Sequence, residues 1–152
     1  MKDLTPNILI ITTDQQRTDT LSCYGSPFTD TPNIDRLAAD GVCLERAYCT
    51  NPVCTPARAS IFTGKYVSRH GAWNVGMNIP EDEPMISHRL SEVGYRTHYI
   101  GKAHFQPFGA SPENSIETRN NTERYPDFQG PYYGFETIEL ALGHATYGIA
   151  GH

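Results

Sequence analysis

The sequence has little of what marks membrane or nucleic-acid-binding proteins. Its apolar runs are only a few residues long, far short of the about 20 that a transmembrane helix needs. Positive charge is scarce, because 12 Lys and Arg stand against 17 Asp and Glu, the net charge is −5 and no basic block occurs. Since phosphate contacts need clustered Lys and Arg, we expect neither nucleic acid nor a membrane as a partner.

The sequence also lacks a secretion signal and a cysteine framework. Residues 1–7 show no charged start followed by an apolar core, so we expect a cytoplasmic protein, or a periplasmic or secreted one if a signal has been removed. The cysteines at 23, 43, 49 and 54 have neither the spacing of a disulfide framework nor the C-x₂-C pair of a zinc site.

Short β-branched apolar runs alternate with helical patterns along the chain. We predict strands over 7–13, 42–48, 95–100 and 135–142 and helices over 32–40, 56–63 and 84–93. Alternation of this kind is typical of an α/β protein with a parallel or mixed sheet flanked by helices. Residues 105–134 lack periodicity, and so long an irregular stretch is usually functional or mobile.

The most informative segment is CTPARASIFTG, residues 54–64. Thr55 suits a helix N-cap and Pro56 suits the first helical position. Cys54 would then lie just ahead of a helix whose positive end favours anions, with Arg58 one turn further on. A nucleophile, an anion-binding helix end and a guanidinium together suit an enzyme that acts on a sulfate or phosphate ester.

Two other interpretations of Cys54 stay open on the residues alone. A free cysteine often packs as a small buried hydrophobic residue. A thiol at a helix start can also be a low-pKa nucleophile, although thiolate phosphatases use a longer loop between Cys and Arg. Asp14, which follows the first predicted strand, lies where ligand sites of open α/β sheets occur, but taken by itself it is better interpreted as a helix N-cap.

The segment resembles the sulfatase motif Cys-x-Pro-x-Arg followed by four residues and Thr-Gly, and all five fixed positions match, namely Cys54, Pro56, Arg58, Thr63 and Gly64. In that family the cysteine is converted to formylglycine, an aldehyde that hydrates to a geminal diol. One hydroxyl attacks sulfur, and the second later expels sulfate. A plain serine would lack that second step.

Two further sulfatase motifs occur on either side of this segment, in the order in which the family has them. Thr-Pro-Asn-x-Asp-x-Leu lies at 31–37, and Gly-Tyr-x-Thr leading to Gly-Lys-x-His lies at 94–104. The resemblance implies an alkaline-phosphatase-like α/β fold, with residues 1–152 forming the N-terminal part of the catalytic domain. The family's later metal ligands and leaving-group acid have no match here. We therefore expect the remainder of the enzyme to follow His152, and this chain to be inactive alone.

The resemblance also implies residue roles. Cys54, Arg58, Lys102 and His104 would be catalytic: Arg58 holds the formylglycine hydroxyls, Lys102 contacts the sulfate and His104 helps to expel it. Lys102, His104 and Asn74 would bind substrate. His70, by contrast, is expected to be structural.

A divalent metal ion is implied as well, held by Asp14, Gln15 and position 54. Ca²⁺ is the expected ion, with Mg²⁺ or Mn²⁺ as alternatives. The family often has a second Asp where this chain has Gln15, and a neutral amide oxygen is a weaker ligand than a carboxylate.

The implied reaction is hydrolysis of a sulfate ester on a small molecule or carbohydrate, after a maturation enzyme has generated formylglycine at Cys54. Two alternatives stay open. Gln15 resembles the corresponding residue of some phosphonate monoester or phosphodiester hydrolases of the same superfamily. A non-catalytic anion-binding module is the other, although it would have no need of an intact formylglycine motif.

Overall fold

The structure is a computed structural model that describes residues 5–107, 115–118 and 127–142 and the backbone of 149–150. The chain divides into two compact units, Met1–Tyr48 and Cys49–His152. Parts of the irregular stretch predicted at 105–134 lie outside the described residues. Within the described ranges, no helix is long and apolar enough to cross a membrane.

The first unit contains the 3₁₀ turns Thr18–Thr20 and Ser22–Tyr24 and the helix α1, Pro32–Asp40. Helix α1 has the bounds that the sequence predicts, because Pro32 is preorganised for the first turn and Gly41 follows the last residue. The 3₁₀ turns were not predicted. Asp14 precedes them without serving as a cap, since the residue at the N-cap of the first turn is Arg17.

A polar cluster at the start of α1 gives the Thr-Pro-Asn-x-Asp segment a structural role. Ser22 Oγ donates to Asp35 Oδ2 at 2.6 Å and Thr31 Oγ1 donates to Asp35 Oδ1 at 3.0 Å. These bonds, with that of Ser22 first, lower the pKa of Asp35. The carboxylate thus joins the beginning of α1 to the preceding 3₁₀ turn.

The two strands predicted in the first unit do not form. Residues 7–13 and 42–48 have no strand assignment, and Leu9 and Val42 are 83% and 85% exposed. A strand is stable only where a neighbour pairs its N–H and C=O groups. The apolar pattern predicts a strand but cannot supply that neighbour, so the predicted buried strands are wrong for this structure.

The second unit contains three helices and a three-stranded sheet. The helices are α2, Cys54–Thr63; α3, Val67–His70; and α4, Ile86–Glu92. The strands are β1, His98–Gly101; β2, Thr137–Ala141; and β3, Ile149–Ala150. Strand β2 lies in the centre, parallel to β1 and antiparallel to β3, which confirms the mixed sheet that the sequence predicts.

Helix α2 begins two residues earlier than the sequence predicts. Val53 is the extended N-cap residue, so Thr55 lies inside the first turn rather than at the cap, and Cys54 is itself helical. Its end is as predicted, because Gly64 adopts a left-handed φ of 68° that closes the helix. Helix α3 was not predicted, and α4 lies within the predicted range 84–93.

An aromatic core fixes α2 against the sheet. The ring of Phe62 on α2 packs edge-on against Tyr99 at 5.7 Å, Phe105 at 5.2 Å and Phe135 at 5.9 Å between centroids. Such pairs contribute about 0.5–1.5 kcal/mol each beyond their buried area. The core therefore brings α2 next to the loop that leaves β1, and this loop carries Lys102 and His104.

Gly134 packs too closely against α4 to carry a side chain. A Cβ atom there would lie 2.6 Å from His88 Cγ and 2.8 Å from the His88 backbone N, and its φ is 76°. We expect Gly134→Ala to lower the free energy of unfolding by about 1–3 kcal/mol more than Gly94→Ala does, because overpacking adds to the cost of a left-handed φ. Gly94 is the matched control, with a φ of 89° and nothing within 4 Å of its Cβ position. Denaturant unfolding of both variants measures the difference, and equal losses would contradict the argument.

Candidate active site

Cys54 and Arg58 lie on one face of α2. They are four residues apart, a spacing that places helical side chains one above the other. Cys54 is half-buried in the first turn, and Arg58 is buried, with 8% of its surface exposed. The first-turn N–H groups and the positive end of the helix dipole lie beside Cys54, which is the arrangement that attracts an anion.

The guanidinium of Arg58 binds the loop that leaves β1. Its Nη1 donates to the Lys102 carbonyl at 2.5 Å and to Tyr99 Oη at 3.3 Å, while Tyr99 Oη donates to the same carbonyl at 2.6 Å. Burial raises the pKa of Tyr99 to about 12, although nearby Arg58 lowers it. The phenol therefore keeps its proton at neutral pH, and it acts as the second donor to Lys102.

The loop itself has an unusual backbone. Gly101 has a φ of 103°, and His104, which is fully buried, has a φ of 54°. A positive φ is uncommon for residues other than glycine, and it persists where surrounding contacts hold it. The structure thus brings Arg58, Lys102 and His104 into one region around the end of β1, with α2 presenting Cys54 four residues from Arg58.

The contacts that hold the loop come from a residue that the sequence analysis missed. Glu117 is fully buried, and its carboxylate accepts the backbone N–H of His104 at 2.6 Å, of Phe105 at 2.8 Å and of Gln106 at 3.0 Å, as well as Tyr132 Oη at 2.5 Å. Burial raises the pKa of Glu117, and the four hydrogen bonds oppose that rise. No motif marks Glu117, because it lies within the irregular stretch.

His70 has contacts that fit a structural role. Its Nδ1 accepts the Ala72 N–H at 3.2 Å, and its Nε2 lies 3.0 Å from Ser60 Oγ on α2. Because Nδ1 is an acceptor, the neutral ring carries its proton on Nε2 and donates to Ser60. Burial lowers the pKa of His70, and Lys65 lowers it further, while Glu83 raises it.

Acid is therefore expected to weaken the fold through His70. The unfolded chain takes up the proton first as the pH falls below about 6.5, so the free energy of unfolding decreases with falling pH until the lower folded-state pKa is reached. Unfolding measured between pH 8 and pH 5 should show this slope, and His70→Gln should flatten it. Equal slopes in the wild-type protein and in His70→Gln would refute the assignment.

The remaining predicted site residues are exposed. Asn74 directs its Oδ1 to the neighbouring Val75 N–H at 2.9 Å. Asp14 and Gln15 form an exposed bend in the first unit, and Gln15 has a φ of 55°. Since Cys54 belongs to the second unit, a metal ion shared by Asp14, Gln15 and position 54 stays a prediction.

A complete metal site is not formed by the described residues. In those parts of the chain, no group of three or more His, Cys, Asp or Glu side chains is placed to hold an ion. Asp14 is a suitable hard oxygen ligand, but one carboxylate does not make a Ca²⁺ site, which takes six to eight oxygens.

Comparison with known proteins gives consistent matches. The family model described as Sulfatase matches residues 6–142. Human arylsulfatase D is 41% identical over 110 residues, which cover 65% of this chain and 18% of that protein. Across such curated relatives, the chain spans between 18% and 33% of their length.

Two solved structures resemble the chain in both fold and sequence. One is a protein in complex with its substrate D-glucosamine-2-N,6-O-disulfate, with a TM-score of 0.65 and 36% identity over 67% of this chain and 21% of that chain. The other is the phosphonate monoester hydrolase of Agrobacterium radiobacter, with a TM-score of 0.66 and 27% identity over 90% of this chain and 25% of that chain.

Proposed function

Because this chain belongs to the sulfatase family, with its alkaline-phosphatase-like α/β fold, we propose that the protein carrying it hydrolyses sulfate esters. The observation that carries the proposal is the family match over residues 6–142, which includes the complete motif at 54–64. The helix start at Cys54 supports it further, because a sulfate group needs a positive, N–H-rich surface beside the nucleophile.

Cys54 is the proposed precursor of the nucleophile. Formylglycine is general in the family, and generating it at position 54 requires a maturation enzyme. Hydrated formylglycine at position 54 would supply one hydroxyl that attacks sulfur and displaces the alcohol of the ester, and a second hydroxyl whose deprotonation re-forms the aldehyde and breaks the C–O bond to sulfate. The chain's contribution is to hold position 54 in the first turn of α2, where the helix dipole favours the negative charge of the substrate.

Three side chains would act on the substrate and the nucleophile. Arg58, four residues after Cys54, would orient the hydroxyls at position 54 through N–H groups other than those of Nη1, which bind the loop. Lys102 would bind a sulfate oxygen as a point charge. His104 would take the proton from the hydroxyl whose collapse releases sulfate.

Asp14 would hold one side of a divalent metal ion, with Gln15 as a neutral neighbour. Ca²⁺ fits an oxygen-rich site of this kind, and Mg²⁺ or Mn²⁺ are the alternatives. Since the described residues form no complete ligand group, additional ligands would come from elsewhere in the protein. Such an ion would polarise the nucleophile and neutralise part of the sulfate charge.

A sulfated sugar is the substrate class that the comparisons favour. The structure bound to D-glucosamine-2-N,6-O-disulfate is 36% identical to this chain over the matched region. Asn74, an exposed residue beyond α2 and α3, is proposed to contact the sugar rather than the sulfate.

A phosphonate monoester or phosphodiester is the second candidate substrate. The phosphonate monoester hydrolase covers 90% of this chain at a TM-score of 0.66, and Gln15 departs from the sulfatase pattern at the metal site. The two reactions share a tetrahedral anion and a similar nucleophile, so the fold alone does not distinguish them.

The test is a comparison of substrates with one leaving group. The protein that carries this chain is matured with a formylglycine-generating enzyme, and conversion of Cys54 is verified by peptide mass spectrometry. Hydrolysis of p-nitrophenyl sulfate and of a p-nitrophenyl phosphonate monoester is then measured, since both release p-nitrophenol. A higher kcat/KM for the sulfate supports the proposal, a higher value for the phosphonate supports the second candidate, and inactivity of fully converted protein supports a binding module.

A further inference from the structure

Glu117 has a place in this site that no motif indicates. We propose that Glu117 is a positioning residue, whose carboxylate fixes the loop that presents Lys102 and His104 to the substrate. The inference rests on the proposed sulfatase function for its catalytic readout. It rests on the hydrogen bonds of the second unit for its geometry.

The Glu117 carboxylate is surrounded by hydrogen-bond donors. Its Oε1 accepts from the N–H groups of Phe105 and Gln106 and from Tyr132 Oη, while its Oε2 accepts from the His104 N–H. All four partners are donors, so the Glu117 carboxyl group acts as the acceptor in every one of these bonds. Three of the four bonds go to consecutive backbone amides, those of residues 104–106.

Hydrogen bonds hold the loop at both of its ends. At one end, the Lys102 carbonyl accepts from Arg58 Nη1 and Tyr99 Oη. At the other end, Glu117 binds the amides of residues 104–106. The peptide units between these two sets of hydrogen bonds have little freedom to rotate, so the bonds fix the directions in which the Cα–Cβ bonds of Lys102 and His104 leave the backbone.

The backbone of His104 adopts a conformation that is costly for a residue with a side chain. Its φ of 54° lies in the left-handed region, which costs a residue with a side chain about 1–2 kcal/mol. The bond from the His104 N–H to Glu117 Oε2 is present in this conformation at 2.6 Å. Without it, His104 would relax to a negative φ, and its imidazole would turn away from its present direction.

The isosteric change Glu117→Gln separates these contacts. The amide oxygen of glutamine can occupy the place of Oε1 and keep its three donors, which leaves the NH₂ group facing the His104 N–H. Two donors then oppose one another at the one contact that holds the left-handed residue. We expect kcat for sulfate-ester hydrolysis to fall by about 10²-fold, the order expected when a reacting group is displaced by about 1 Å.

The matched control is Glu81→Gln. Glu81 is exposed and binds the same loop through the side chain of Gln106, whose Nε2 lies 3.0 Å from Glu81 Oε1. Glu81→Gln makes the same chemical change as Glu117→Gln but removes no hydrogen bond to the amides of 104–106. We therefore expect kcat to stay within about 3-fold of the wild type.

A double-mutant cycle distinguishes positioning from loss of folding. If Glu117 acts by positioning the Lys102 and His104 side chains, Glu117→Gln should cost less than about 3-fold in a background that carries both Lys102→Ala and His104→Ala, since the groups it orients are already absent. An equal 10²-fold loss in both backgrounds would mean a general structural role and would overturn the proposal. An unchanged kcat in the single variant would overturn it as well.

Hydrogen exchange keeps the proposal falsifiable if Glu117→Gln does not fold. In the wild-type protein, the amides of 104–106 should be protected as strongly as those of the β1–β2 ladder, and rapid exchange there would overturn the inference. Failure of the mature wild-type protein to hydrolyse any sulfate ester would refute the proposed function instead. The exchange result would then still decide whether Glu117 holds the loop.

Discussion

Replacing Cys54 with alanine is expected to lower sulfate-ester hydrolysis by about 10⁴–10⁶-fold, the range found when an enzyme loses its nucleophile. Alanine preserves helix α2, because it is the best helix former and Cys54 is only half-buried. The loss would therefore be chemical rather than structural. Turnover of p-nitrophenyl sulfate by the matured protein measures it, together with a melting curve that should shift little.

Cys49→Ala provides the control for this prediction. Cys49 lies five positions before Cys54, is exposed, and has no match to the motif, so its loss should leave turnover unchanged. Cys54→Ser adds a second arm, since a serine hydroxyl can accept the sulfate group but has no second hydroxyl to release it. Full activity of Cys54→Ala would exclude position 54 as the nucleophile, and full activity of Cys54→Ser would exclude the need for a second hydroxyl there.

The second large effect is expected at Arg58. Lysine would keep a positive charge but lose the planar fork that reaches several acceptors. We expect Arg58→Lys to reduce kcat/KM by about 10²–10³-fold, the cost of removing one preorganised donor from an active site. It should also lower the free energy of unfolding by about 1–3 kcal/mol, because the partly buried Lys102 carbonyl loses its bond to Nη1.

Tyr99→Phe separates the two effects. It removes the second donor to the Lys102 carbonyl and an acceptor of Arg58 Nη1, but it leaves the guanidinium in place. If Arg58 acts on the nucleophile, Tyr99→Phe should lose stability to a similar degree and much less activity. Equal losses of activity in the two variants would mean that Arg58 serves only to hold the loop.

Local chemistry explains what could be predicted of the fold. The end of α2 follows from Gly64 alone, because few other residues adopt its left-handed φ at low cost. The start of α2 was misplaced because Thr55 has the residue type of an N-cap, while the structure uses Val53 instead. Cap positions depend on where the preceding chain comes from, and the sequence does not record this.

Pairing explains what could not be predicted. Residues 95–100 and 135–142 have the same β-branched pattern as residues 7–13, yet only the first two segments pair, as β1 and β2. The hydrophobic pattern indicates which residues can form a strand, but a strand forms only where a neighbouring strand pairs with it. The three motif positions Arg58, Lys102 and His104 were found because their spacing matches a known family, whereas Glu117 and Tyr99 act through contacts between distant parts of the chain.

The hydrogen bonds that hold the Lys102–His104 loop use backbone atoms of the loop, and this affects which substitutions the loop can accept. The loop contributes the carbonyl of residue 102 as an acceptor and the N–H groups of residues 104–106 as donors. Every amino acid has the carbonyl, and every one but proline has the N–H. These hydrogen bonds do not themselves depend on the side chains at the four positions, although Phe105 also packs in the aromatic core and His104 must tolerate a left-handed φ. A change of the exposed part of Lys102 can therefore alter which anion is accepted while the hydrogen bonds remain, whereas proline at 104, 105 or 106 would remove one of them.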